Sequence, residues 1–158
     1  MPSLMPGMPG TKEAYGISII REDLRITIPP KAFERYELEY DTSVLLTTTH
    51  RGEGGFALIK KESAEATVFA KYVNQIEEPE TIYWFTEKAY VVTKLRNERI
   101  GLTPEMLQAF HLTKGTKLMV VKSTTVAMSY TPIEIWKAKF AQRGLTEAIE
   151  NMELLEEF

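Results

Sequence analysis

Residues 25–41 read RITIPPKAFERYELEYD, and residues 99–115 read RIGLTPEMLQAFHLTKG, an approximate repeat 74 positions later. Between 25–48 and 99–122, five positions are identical: Arg25/Arg99, Ile26/Ile100, Pro30/Pro104, Leu38/Leu112 and Thr42/Thr116. Apolar character also agrees at Ile28/Leu102, Phe33/Leu107, Tyr36/Phe110, Val44/Leu118, Leu45/Met119 and Leu46/Val120. Beyond the loop His50–Gly55 the offset reads as 70, with Phe56-Ala57-Leu58 against Val126-Ala127-Met128. A unit of about 45 residues cannot bury a sufficient core alone, so two such units must pair. A chain of 158 residues that carries both supplies its own partner, and an internal structural duplication is expected.

Each copy reads as strand, strand, short helix, strand, strand, helix. Residues 16–28 alternate apolar positions on either side of Arg21-Glu22-Asp23, which predicts a hairpin. Pro29-Pro30 ends its second strand, because proline cannot donate to a ladder. Ala32, Phe33 and Tyr36 suit a short helix closed by Leu38, and Glu39-Tyr40-Asp41 suits a turn. Thr42–Thr49 and Phe56–Ile59 read as strands around the glycine-rich loop HRGEGG. A helix is expected over 62–76 with Val68, Phe69 and Tyr72 on one side, then two β-prone runs, TIYWF and AYVVTKL. In the second copy Thr103-Pro104-Glu105 is a strong helix start, a cap followed by proline at the first helical position. Strands over 117–122 and 126–128 follow. Pro132 then opens a helix with Ile133, Trp136 and Phe140 on one stripe. Gly144 closes it, and Leu145, Ile149 and Met152 mark a last helix. The expected boundaries are a flexible lead-in over 1–14, repeat one over 15–61, a helix and connector over 62–88, repeat two over 89–131 and C-terminal helices over 132–158.

Composition narrows the function classes. The chain has no cysteine, which removes disulfides, thiolate nucleophiles and Cys-ligated zinc. That fits a reducing, cytoplasmic setting. No apolar run approaches the roughly 20 residues of a membrane span, and MPSLMPGMPGTKE lacks the basic and apolar regions of a signal peptide. His50 and His111 have no carboxylate at a metal-ligand spacing. HRGEGG lacks the Lys-Ser/Thr of a phosphate loop, and no G-x-S-x-G elbow occurs. No catalytic constellation, metal or cofactor is therefore expected, and the chain reads as a non-enzyme. Charge is segregated: net 0 over 11–61, −4 over 62–88, +4 over 89–131 and −3 over 132–158. The basic segment suits an anionic partner, and the acidic helical segments suit a protein partner or a second copy of the chain. Tyr83-Trp84-Phe85 reads as strand core that also offers an interface, with stacking on bases as the alternative.

The run Leu24-Arg25-Ile26-Thr27-Ile28-Pro29, the helix with Phe33 and Tyr36, Glu37-Leu38, Asp41, Ser43–Leu46 and Phe56–Lys61 resembles the AbrB/SpoVT/MazE superfamily of swapped-hairpin domains. Arg99-Ile100-Gly101-Leu102, Phe110, Leu112, Lys114–Leu118 and Val126–Met128 carry the same resemblance in the second copy. Tandem copies in one chain are similar to the MraZ family. The resemblance covers roughly 90 residues and rests on a pattern of residue types. It implies a mainly β, α+β fold: a duplicated swapped-hairpin β-barrel, an intrachain pseudo-dimer with short helices and a C-terminal helical tail. It also implies a DNA-binding transcription regulator that contacts DNA through arginines of the strand and the first helix. Arg25 and Arg99 match the strand arginine. Leu24 and Glu98 stand where the family has glycine, and Phe33-Glu34 and Leu107-Gln108 where it has paired arginines. The expected duplex-DNA-binding residues are Arg21, Arg25, Lys31, Arg35, Lys94, Arg96 and Arg99. The alternative is an interaction or assembly module that keeps the fold without binding DNA.

Overall fold

The computed structural model describes residues 14–49 and 54–158; residues 1–13 of the expected lead-in and His50–Glu53 lie outside them, and Ala14, the last residue of that expected lead-in, already belongs to the first strand. The chain is α+β and mainly β. Its first half runs β1 (Ala14–Ile19), β2 (Arg25–Thr27), α1 (Pro30–Arg35), β3 (Ser43–Thr48) and β4 (Phe56–Lys60). α2 (Lys61–Glu65), α3 (Ala70–Val73) and β5 (Tyr83–Phe85) follow. The second half runs β6 (Lys88–Lys94), β7 (Arg99–Gly101), α4 (Pro104–Ala109), β8 (Lys117–Lys122), β9 (Ala127–Pro132), α5 (Ile133–Gln142) and α6 (Thr146–Glu153). Pro30 and Pro104 each open a short helix, as the missing proline donor and fixed φ favour. Thr103 Oγ1 caps α4 by accepting from Met106 N at 3.2 Å, whereas Pro29 offers α1 no such cap.

Among the described residues, seven strands form one antiparallel sheet in the order β1-β8-β9-β4-β3-β6-β5, and β2 and β7 form a separate two-stranded ribbon. β1 and β2 are therefore not a hairpin, contrary to the expectation for 16–28. A turn is present, with Arg21 N donating to Arg25 O and Leu24 N to Arg21 O, but β1 pairs with β8 and β2 with β7. In the second half β6 pairs with β3. Interchanging β1–β4 with β6–β9 leaves every pairing among these eight strands unchanged. The physical reason is burial: each short unit covers its apolar face only against the other. The main core draws Ile26, Ile28, Leu38, Val44 and Leu46 from one half and Ile100, Leu102, Leu112, Leu118 and Val120 from the other.

Register differs from the alignment expected beyond the loop. Val44 pairs with Lys60, and Leu118, 74 positions after Val44, pairs with Pro132. Lys60 and Pro132, the partners of Val44 and Leu118, thus lie 72 apart rather than 70, and alignment by register sets Phe56 against Met128 and Leu58 against Tyr130.

Two smaller clusters flank the sheet. α5 sets Ile133, Trp136 and Phe140 with Met152 of α6 against Ile17, Met119 and Val121. Leu145, expected on the apolar stripe of that last helix, is instead 39% exposed. α2 and α3 bring Ala64 and Val73 to Leu45, Ile59, Tyr90 and Val92. They replace the single helix expected over 62–76. Thr67 breaks it by donating its hydroxyl to Ala64 O at 2.9 Å and accepting from Phe69 N at 3.2 Å, which leaves Val68 80% exposed. β5 closes one sheet edge. At the other, Glu157 makes a parallel bridge to Ile17, a cover that blunts an open edge.

Candidate nucleic-acid interface

The ribbon pairs Arg25 with Gly101, Ile26 with Ile100 and Thr27 with Arg99. Side chains alternate along a strand, so the wholly buried Ile26 and Ile100 point into the core and Arg25 and Arg99 share the solvent face. The ribbon is extended by Ile28 N donating to Glu98 O and Leu102 N to Leu24 O, both at 2.8 Å. Leu24 and Asn97 lead into the two strands with φ of +60° each, a left-handed conformation that glycine adopts without cost. The sequence alignment sets Leu24 against Glu98, whereas the left-handed residue of the second half is Asn97, one place earlier.

Two hollows border the arginine pair. Arg21, Glu22, Asp23, Arg25, Arg99 and Phe158 surround the first. Arg25, Tyr40, Arg96, Asn97, Glu98 and Arg99 surround the second. Arg96 is held beside Arg99 by reciprocal backbone bonds, Arg96 N to Arg99 O at 2.9 Å and Arg99 N to Arg96 O at 3.2 Å. The structure thus gathers Arg21, Arg25, Arg96 and Arg99 on one face. Lys31 and Arg35 on α1, and Lys94 at the end of β6, are exposed but border neither hollow. Arg35 lies 5.9 Å from the Tyr36 ring centroid.

The four arginines share their surroundings with Glu22, Asp23 and Glu98. Arg25 Nε is 3.8 Å from Asp23 Oδ2, a loose pair between half-exposed groups, and Glu22 is drawn to Lys114 at 3.4 Å. Such exposed pairs contribute little, so Arg25 is available to a phosphate at small cost. Among the described residues, Arg21, Arg96 and Arg99 form no ion pair with a carboxylate.

Elsewhere, Tyr83 and Phe85 stack at 6.2 Å and Phe85 lies 5.3 Å from Tyr72, while Trp84 on the opposite face of β5 is 60% exposed. Trp84 borders a hollow with Ile82, Glu87, Glu105 and the exposed His111. Among the described residues no three His, Cys, Asp or Glu side chains come together to hold a metal ion, and no helix is long and apolar enough to cross a membrane. His50 and the HRGEGG motif fall largely outside the described residues.

Comparison with protein-family models, with curated proteins and with solved structures finds no match to this chain.

Proposed function

We propose that the chain is an internally duplicated swapped-hairpin domain of AbrB type that binds duplex DNA through the exposed face of the β2·β7 ribbon, as a non-catalytic regulator of transcription. The exchange-symmetric strand pairing supports the duplication. The observation that carries the function is the placement of Arg25 and Arg99 on one solvent face of a ribbon built from both halves. Arginine guanidinium groups bind phosphate oxygens bidentately, and contacts of this kind position a protein on the duplex without reading sequence.

The test is duplex binding as a function of salt, read by fluorescence anisotropy. If all four arginines meet phosphates, log K falls against log salt with a slope of about −3.6, a weakening of about 10²-fold between 50 and 200 mM. Arg25→Ala/Arg99→Ala reduces the slope to about −1.8 and the weakening to about 12-fold. Absence of binding at ~50 mM salt, or an unchanged slope in the double variant, overturns the proposal. A second reading, a protein-interaction module, is favoured by the exposure of Trp84 beside the hollow of Glu87 and Glu105; an apolar aromatic anchor ringed by polar groups is a common binding hot spot.

A further inference from the structure

The last residues of the chain reach the same face by a route that the repeat does not include. After α6, Glu156–Phe158 lie along the outer edge of β1: Ile17 N donates to Glu156 O at 2.9 Å, Phe158 N to Ile17 O at 2.7 Å and Ile19 N to Phe158 O at 3.1 Å. Lys117 Nζ holds Glu157 Oε2 at 2.8 Å. Gly16 makes room for this segment. A Cβ there would stand 2.8 Å from Phe158 Cε2 and 3.0 Å from Glu156 O. Phe158 then enters the hollow of Arg21, Arg25 and Arg99. The second hollow, which also borders Arg25 and Arg99, has Tyr40 in its lining and no residue of this tail.

We propose that residues 156–158 are an autoinhibitory strap, a strand added in cis that places an aromatic ring in the hollow beside the arginine pair and must leave for nucleic acid to bind there fully. This rests on the DNA-binding reading above. Two physical features make the strap releasable. Its ion pair is half-exposed on both sides, which makes it a weak tether. The pairings among β1–β9 involve none of its residues, so it can detach while the sheet stays formed. Edge strands accept an added strand through main-chain bonds alone, and the negative charge of Glu156 and Glu157 opposes an approaching phosphate backbone.

The experiment compares the full chain with a chain ending at Leu155, with Phe158→Ala, and with Glu62→Gln/Glu65→Gln as a matched removal of two charges from α2. The probe is a fluorescent duplex at constant salt. Removal of 156–158 is expected to tighten binding about fivefold, Phe158→Ala to tighten it by a smaller factor, and the α2 control to change it by less than about twofold. Equal binding by the full and shortened chains, or an equal gain in the α2 control, overturns the strap. If neither chain binds, the proposed function fails and the strap fails with it. A second readout uses the unaltered chain: on saturation with duplex, the Ile17 and Ile19 amides should lose hydrogen-exchange protection while those of β3 and β6 keep it. Retained protection at Ile17 and Ile19 overturns the competition.

Discussion

Ile26 and Ile100, 74 positions apart, are cross-strand partners with no solvent exposure, so substituting each alone and then both together tests the interleaved pairing. Ile→Ala removes three carbons, worth about 2.4 kcal/mol at ~0.8 kcal/mol per buried methylene. A residual cavity adds about 1 kcal/mol, so each single substitution should cost about 3.5 kcal/mol. Because both side chains are fully buried in the same core cluster, the two costs should agree within about 1 kcal/mol. Residues in contact are not additive, so the double variant should fall short of the summed cost by about 0.5–3 kcal/mol. The assay is urea unfolding at equilibrium, with the midpoint reporting stability and the slope checking that the same surface is exposed. Strict additivity, or single costs differing by more than about 2 kcal/mol, would refute the reasoning, since it would mean that β2 and β7 do not share one core contact.

Two other changes probe the sheet. Gly55 has φ of +87°, and a Cβ there would lie 2.0 Å from Tyr130 O in the backbone of β9. Gly55→Ala should cost about 3–5 kcal/mol from left-handed strain plus forced separation of the strands, seen as a lowered urea midpoint; a loss under about 1 kcal/mol would contradict the close approach. The Tyr130 hydroxyl is buried and has no hydrogen-bond partner among the described residues, and burial pushes its pKa well above the usual tyrosine range. Tyr130→Phe should therefore stabilise by about 1 kcal/mol at neutral pH. Because the folded pKa is raised, the folded state holds this proton more tightly than the unfolded one. The group's contribution is full below about pH 10 and is lost as pH rises above it. Unfolding measured from pH 8 to 11 should show that alkaline loss in the unaltered chain and less of it in Tyr130→Phe.

Much of the fold was legible because apolar alternation, Pro30 and Pro104 report local conformation directly. The β2, α1 and β3 ranges match β7, α4 and β8 at the offset of 74 read from identities. The choice of partner strand was not legible. Ile17, Ile19, Ile26 and Ile28 alternate in the same way whether β1 meets β2 or β8, and only burial of both halves together decides. The offset of 72 was hidden because Phe56-Ala57-Leu58 and Val126-Ala127-Met128 agree in residue type while β-sheet register pairs other positions. Thr67 carries no breaker signal in the sequence, because its effect lies in two side-chain bonds within an otherwise helical composition. Of the candidate site, Arg21, Arg25, Arg96 and Arg99 converge because they sit on or beside the ribbon strands, whereas Lys31 and Arg35, expected from the first helix, and Lys94, expected beside the second hairpin, border neither hollow. The strap at 156–158 left no sequence signal: three residues, two of them acidic, carry no strand pattern.

The most direct test of the ribbon as the interface is a map of backbone amide shifts on titration with a duplex at ~50 mM salt, where phosphate contacts are strongest. The account predicts that the largest changes gather at residues 25–27 and 99–101 with Arg21 and Arg96. Changes centred on residues 82–87 and 105–111 around Trp84, or none at all with duplex in excess, would contradict it.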